Sequence, residues 1–440
     1  MIPHDLLASR RGRTLVAAGI ALLFLALRLA LLFAREPFFD ELFTRWIAAK
    51  SFAGILEALR HDSGPPLYYF VAHLIRSITL LRFFSLLCAT AAFLLVLRRN
   101  LAAAALLAVY PPAVLLAVDA RSYAMAALLL TIAVLAIDAD RPLLATVALV
   151  LACYTHYYAV LFLPLLLVRR WFLSFALACA LFVPGLLLAL RQPREATAWL
   201  AESHFDSLIN VSFAGNYAEA LFAPAPPWLV VVALLVLVVA CSPSSALRAP
   251  SPRIGGEKAL EEPSPRVRGF AAAVLIPIAG AIAFGLFGRP IYFPMRFESV
   301  IAAPLVLWTA FSLERWQPAV RRILFAALML IGLVVTWRGI IDHVRRALDP
   351  FRAAALVAAR QPGPLVASGY AWLEVASTGR EVIAWPPEQA KHPGWRARAQ
   401  EGTLPAGTFI WVGEVGAPEL RHRKVRPIFV DRGVAVLRVD

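Results

Sequence analysis

Apolar residues along this chain come in long runs, not in the alternating or amphipathic patterns of a water-soluble core. Runs over 14–34, 83–97, 101–118, 122–138, 142–153, 155–168, 171–190, 228–241, 270–288, 297–312 and 320–337 are separated by short polar stretches. A helix needs roughly 20 apolar residues to cross a hydrocarbon layer about 30 Å thick, and segments apolar on every side belong in lipid. The first run is too long for a signal-peptide core and further runs follow it, so it reads as a retained helix. The pattern predicts an all-α polytopic membrane protein with about eleven transmembrane helices.

Two stretches need a further argument. Residues 66–80, "PLYYFVAHLIRSITL", hold His73 and Arg76. A helix of that length reaches about 22 Å, short of a span, and charge inside lipid is costly. Loop charge separates the possibilities. With 66–80 on the surface and the N-terminus inside, one set of loops collects Arg98, Arg99, Arg141, Arg169, Arg170, the basic residues of 242–268 and Arg315 to Arg322. The opposite loops keep Arg121, Arg191, Arg194, Arg289 and Arg296. Basic loops stay in the cytoplasm, so 66–80 is expected to be an interfacial helix. The run 142–168 has basic flanks at both ends. It must cross twice, turning at "YTHYY" (154–158).

The polar segments complete the layout. Residues 35–82 form a first outer loop. Residues 242–268, rich in Pro, Ser and charge, read as a flexible cytoplasmic loop. After about 337 the character changes. "DPFRAAALVAARQ" predicts a helix, and "PGPLVASGY", "GTFIWVG" and "GVAVLRV" predict strands. Residues 1–337 are therefore expected to be a membrane module and 338–440 a small extracytoplasmic α/β domain.

Composition agrees. The 440 residues are 60% hydrophobic, with a mean hydropathy of +0.72. The net charge of +15 lies between apolar runs, so it follows loop sidedness and not nucleic-acid binding. Cys88, Cys153, Cys179 and Cys241 lie in or at the ends of apolar runs, without metal-ligand spacing, and no disulfide is expected. The four lysines against 39 arginines fit a GC-rich bacterial genome.

This topology sorts the polar motifs to one side. Asp40–Glu41 in "EPFFDELFTRW", "HDSGPPLYY" (61–69), "VDARSY" (118–123), "YTHYY" and "YFPMRF" (292–297) all fall at the outer surface. Helices packed in a bundle can bring them round a single cavity. A carboxylate serves as general base toward an acceptor hydroxyl. Arginines hold a phosphate through paired hydrogen bonds. Aromatic rings suit a sugar face or an isoprenoid tail at the interface. The combination points to group transfer from a lipid-linked phosphate donor.

These motifs resemble the GT-C class of integral-membrane glycosyltransferases, and most of all the branch holding protein O-mannosyltransferases and the aminoarabinose transferases of lipid A. Over roughly residues 15–310 they come in that branch's order. The acidic pair Asp40–Glu41 comes first, then "DSGPPLYY", "DARSYAM", "THYYA" and "RFESVIAAP". Gly64 stands where that branch carries a histidine, and Asp119 where it commonly has glutamate. The resemblance implies a GT-C-like fold, and loop charge with eleven spans places the N-terminus on the inside of the cytoplasmic (inner) membrane and the C-terminal domain in the periplasm. The resemblance also implies transfer of a sugar, with inversion, from a polyprenyl-phosphate donor to a lipid, glycan or protein acceptor. Asp40, Glu41 and Asp119 are the candidate catalytic residues. Arg121 and Arg296 are the candidate donor-phosphate ligands. Asp62, Tyr68, Tyr123, His156 and Tyr157 are the candidate substrate contacts.

Each of these residues has a plainer alternative. Asp40 also reads as an N-cap, and Glu41 as a solvated carboxylate at a helix start. Asp62 reads as a turn-former before Gly-Pro-Pro, Asp119 and Arg121 as an interfacial ion pair, His156 as an interfacial histidine without chemistry, the tyrosines as membrane-belt residues, and Arg296 as a snorkelling anchor. No metal site is assigned, although Asp40, Glu41 and Asp119 are oxygen ligands suited to Mg or Mn. The rival function is a non-catalytic lipid-carrier transporter or flippase. That reading calls for charge deep within spans and an internal repeat, and neither is expected here. A metalloenzyme needs a His and carboxylate ligand pattern that His61, His73 and His156 do not form.

Overall fold

The computed structural model describes residues 9–34, 36–193, 206–215, 226–242, 264–288, 291–345, 350–368, 371–385, 404–414, 420 and 422–440. Most of the expected cytoplasmic loop 242–268, Arg194, Arg289, and much of 191–227, with Trp199, His204, Phe205 and Tyr217, lie outside these residues.

The helices in chain order are α1 (Arg10–Ala34), α2 (Phe39–Ala48), α3 (Phe52–Leu59), α4 (Leu67–Ile75), α5 (Ile78–Arg99), α6 (Leu101–Val109), α7 (Pro111–Leu115), α8 (Tyr123–Asp138) and α9 (Pro142–Thr155). After a 3-10 segment, Tyr157–Phe162, come α10 (Pro164–Val168), α11 (Phe172–Arg191), α12 (Asp206–Asn210), α13 (Pro227–Cys241), α14 (Pro265–Phe287), α15 (Arg296–Leu313), α16 (Pro318–Arg345), α17 (Pro350–Ala359) and α18 (Ala371–Ala376). Among the described residues, α1, α5, α11, α14, α15 and α16 are long and apolar enough to cross a membrane. Residues Tyr123–Asp138, Pro142–Thr155, Tyr157–Val168 and Pro227–Cys241 form shorter apolar segments. The protein is a multi-pass, helical membrane protein.

By its contacts the chain divides into two compact units. The first comprises Met1–Phe33, Arg82–Leu188 and Thr197–Val344. Its central helix is α15, which packs against α6, α8, α13 and α14 and is buried almost throughout, from Phe297 to Leu313. Polar groups close the end of this unit away from Tyr123. Arg99 donates to Asp138, Asn100 donates to Glu314 at 2.9 Å and Arg169 donates to Asp140 at 2.9 Å.

Three expectations change here. The run 101–118 is not one helix. It breaks at Tyr110, whose backbone is extended, because Pro111 and Pro112 disfavour helix in the residue before them and supply no amide. The segment 66–80 is not one interfacial helix either. It stops at Arg76, whose φ of 58° is left-handed, and Ile78 already opens α5, with Ser77 Oγ accepting from the Leu80 amide at 3.4 Å. In 142–168 the second arm is a 3-10 segment followed by the short α10, since Pro164 reopens the backbone hydrogen-bond pattern.

The second unit comprises Ala34–Leu81, Ala189–Ala196 and Arg345–Asp440. The sheet-bearing tail thus shares a unit with the first outer loop, and α16 runs on to Arg345. Helices α2 and α4 pack together, and α18 packs on α2, with Trp46 edge-on to Trp372 at 6.0 Å. Ser51 caps α3 by accepting the Gly54 amide at 3.2 Å. That cap separates α3 from α2 in what reads as one amphipathic stretch. The sheet has the order β2 (Val382–Trp385), β1 (Leu365–Ser368), β3 (Phe409–Glu414), β5 (Val434–Val439), β4 (Val425–Asp431). Strand β1 lies parallel to β2 and β3, while β3–β5 and β4–β5 are antiparallel. Arg432 and Gly433, both with positive φ, make the tight turn whose twist suits a two-residue hairpin. Strands β1, β3 and β5 and helix α17 match the tail's pattern. Strands β2 and β4 and helix α18 are not legible in it.

Candidate active site

The predicted residues fall into two groups, one in each unit. In the first unit the turn 116–122 between α7 and α8 carries Asp119 and Arg121. The Asp119 carbonyl accepts from the Arg121 amide at 2.7 Å and from Ser85 Oγ at 2.6 Å, which ties the turn to α5. Asp119 is buried and Arg121 half-buried. Met295, with a φ of 66°, precedes α15, so Arg296 and Glu298 fall in that helix's first turn.

Arg296 is the hub of this group. Its guanidinium lies 4.3 Å from the Phe293 ring centroid and 5.7 Å from that of Tyr123. Both rings lie within cation–π range of the guanidinium and hold it in place. The Tyr123 ring meets His156 at 5.6 Å, and His156 meets Tyr158 at 4.5 Å. Tyr158 donates its hydroxyl to the Ile291 carbonyl at 2.6 Å, joining the 154–158 turn to the segment before Arg296. His156 lies in that turn, between two apolar segments. Its imidazole is held down at about 3, chiefly by desolvation and then by the charges of Arg296 and Arg121, and is neutral at ordinary pH. Two cations from distant parts of the chain thus bear on one side chain. Tyr157 sits half-buried in the same turn.

Two residues outside the sequence assignment support Arg296. Glu298 is fully buried and accepts from the Tyr292 hydroxyl at 2.5 Å. Asn210, from α12, donates to that same hydroxyl oxygen at 2.9 Å. This chain pins 292 to α15, the helix whose first residue is Arg296. The signal for Glu298 is its place inside the "RFESVIAAP" motif. Asn210 carries no signal, because nothing in its neighbourhood shows which helix α12 meets.

In the second unit Asp40 and Glu41 lie in the first turn of α2, where the helix dipole favours carboxylates. Asp40 is not the N-cap, which corrects that alternative. Phe38 occupies the cap position, without a side-chain hydrogen bond. Asp40 is half-buried, and Thr44 Oγ1 donates to its carbonyl at 2.9 Å. Glu41 is not solvated. It is fully buried, since one residue's advance turns it by about 100° onto the inner face. Asp62 is half-buried in the turn before α4, and Tyr68 is buried. Gln192 Nε2 donates to the Leu59 and Gly64 carbonyls at 2.8 and 2.9 Å, bracketing Asp62. Gly64 has a packing reason. A Cβ there would meet the Tyr69 ring at 3.2 Å, so a histidine would push that ring aside. Among the described residues no group of three or more His, Cys, Asp or Glu is arranged to hold a metal ion.

No protein-family model and no curated protein sequence matches the chain. Among solved structures, ArnT from Cupriavidus metallidurans bound to undecaprenyl phosphate superposes with a TM-score of 0.56 at 14% identity, over 98% of each chain. The chain has the fold of ArnT. The apo state of ArnT gives a TM-score of 0.55 at 15% identity, over 96% of this chain and 98% of ArnT. The likeness to ArnT therefore runs through both units and is not confined to the apolar helices.

Proposed function

We propose that this protein is a GT-C-type membrane glycosyltransferase that moves a sugar from a polyprenyl-phosphate donor to a hydroxyl or amine of a lipid, glycan or protein acceptor. The reading rests on one observation: the Arg296 guanidinium lies against the Phe293 and Tyr123 rings, the Tyr123 ring meets His156, and Arg121 stands in the turn just before Tyr123. Two cations so held make a clamp for a phosphate, and ArnT, which shares the fold, has been solved with undecaprenyl phosphate.

Asp40 is the general base. It takes the proton of the acceptor as the acceptor oxygen or nitrogen bonds to the anomeric carbon. The bond from that carbon to the phosphate oxygen breaks, with inversion, and the polyprenyl phosphate leaves with the electron pair. Negative charge grows on the departing phosphate, where Arg121 and Arg296 stabilise it. Glu41 orients Asp40, while Asp119 orders the Arg121 turn. Asp62, Tyr68, Tyr123, His156 and Tyr157 contact substrate. A divalent cation such as Mg or Mn would add charge stabilisation if the reaction uses one. The enzyme lies in the cytoplasmic membrane with its N-terminus inside and its C-terminal domain in the periplasm. The ion-paired end of the first unit, at Arg99, Asp138 and Arg169, supports the cytoplasmic side by its basic character.

The deciding experiment incubates purified protein with a panel of polyprenyl-phosphate sugars and measures release of the carrier phosphate. Release from at least one donor, abolished by Asp40→Asn in a correctly inserted protein, is the expected result. No release from any donor would overturn the reading. The transporter alternative needs charge deep within a span. One such residue does exist, Arg28 in α1, contrary to expectation, but four of its N–H groups are spent on backbone carbonyls.

A further inference from the structure

Arg28 lies in the middle of an apolar run, has no accessible surface and has no carboxylate beside it among the described residues. Its partners explain why it is there. Nη1 donates to the Phe24 and Ala108 carbonyls, each at 3.1 Å. Nη2 donates to the Leu107 and Ala113 carbonyls at 3.3 and 2.8 Å. The guanidinium carbon stands 3.6 Å from the centroid of the Phe24 ring, which completes the desolvated cradle.

In a continuous helix the carbonyl of residue i accepts the amide of residue i+4. For Leu107 and Ala108 those positions are Pro111 and Pro112, which have no N–H. For Ala113 the position is Ala117, whose amide donates to Val114 instead, at 3.3 Å. Val109, the remaining carbonyl at the end of α6, accepts from Thr336 Oγ1 at 3.0 Å. Two of the carbonyls orphaned by the α6–α7 break, Leu107 and Ala108, are therefore satisfied by Arg28, and the third, Val109, by Thr336. Without Arg28 the first two would lose their donor in a largely apolar interior, where an unpaired carbonyl is costly. The break leads within a few residues to the turn 116–122, which carries Asp119 and Arg121.

We propose that Arg28 is a positioning residue: its guanidinium replaces the amide donors that Pro111 and Pro112 remove, and so fixes the break that aims the Asp119–Arg121 turn. Its effect on activity rests on the transferase reading above, while its effect on the fold does not.

The test is a cycle of purified full-length variants: wild type, Arg28→Met, Pro111→Ala/Pro112→Ala, and all three substitutions together. Thermal unfolding is read first. Arg28→Met is expected to lower the midpoint clearly in the native background and much less where the alanine amides are restored. Equal losses in both backgrounds overturn the assignment, as does failure to recover a folded protein with Arg28→Met in either one. Carrier release is read second. Arg28→Met is expected to lower kcat by about tenfold while the donor KM stays within about threefold. A raised donor KM with an unchanged midpoint would make Arg28 a donor contact and overturn the proposal. Arg28→Lys keeps the charge but cannot reach four carbonyls from two nitrogens. Full recovery of stability in Arg28→Lys would equally overturn it. If wild type releases no carrier from any donor, the transferase reading fails, and the unfolding cycle still decides the role of Arg28.

Discussion

Tyr292 donates its hydroxyl to Glu298 at 2.5 Å across the start of α15, and between them in sequence lies Arg296. The bond bridges the loop to the helix, so the direction of Arg296 depends on it. Tyr292→Phe removes the donor and leaves one oxygen of a buried carboxylate without it. The expected cost is about 1–3 kcal/mol of stability, measured by thermal unfolding. The donor KM is expected to rise more than kcat falls. An unchanged KM would show that Arg296 is held without this bond.

Arg296 is proposed to hold the donor phosphate through paired hydrogen bonds, with its guanidinium against two rings. Arg296→Lys keeps the charge but loses both the fork and the stacking. Its kcat/KM for donor is expected to fall by about 10²-fold, and that of Arg296→Ala by about 10³-fold, both in carrier-release assays. A lysine variant equal to wild type would reduce Arg296 to a point charge.

Asp40 does not cap its helix, so removing its charge leaves α2 without a lost cap bond. Asp40→Asn is expected to insert and unfold like wild type while kcat drops by about 10²–10⁴-fold, the range for a lost general base. A large fall in the unfolding midpoint would indicate a structural role instead.

His156 sets a pH dependence whose sign follows from its depressed pKa. The ordinary histidine value is 6.5, and in the folded protein it is about 3, through desolvation first and then Arg296 and Arg121. Between these values the unfolded chain binds the extra proton and the folded chain does not, so folded stability falls as pH drops below 6.5. His156→Gln is expected to flatten unfolding midpoints between pH 6.5 and pH 5 relative to wild type. Identical pH profiles would mean that His156 ionises normally.

Much of the layout is legible in the order of residues alone, for identifiable reasons. A helix that must satisfy its own backbone in lipid leaves a composition signature that packing does not alter. Hence α1, α5, α11, α14, α15 and α16 fall where apolar runs predict them. Short local signals are weaker guides. The 101–118 run contains the Pro111–Pro112 pair, which breaks it, and the 66–80 run hides a left-handed Arg76. The tail's strands β2 and β4 leave no clear pattern. The first is only four residues long, and the second has Pro427 within it, which its edge position tolerates.

Composition was enough to determine that this chain lives in a membrane, and the order of motifs was enough to name candidate residues for holding a phosphate and taking a proton. These are one-dimensional properties, since transfer into lipid and loop charge act residue by residue. Only the folded chain decided that Glu41 turns inward, that Arg296 lies against Phe293 and Tyr123, that Asn210 and Glu298 anchor Tyr292, and that Arg28 answers two prolines some eighty residues away. Those outcomes are pairings between distant donors and acceptors, and a buried polar group finds its partner in space, not along the chain.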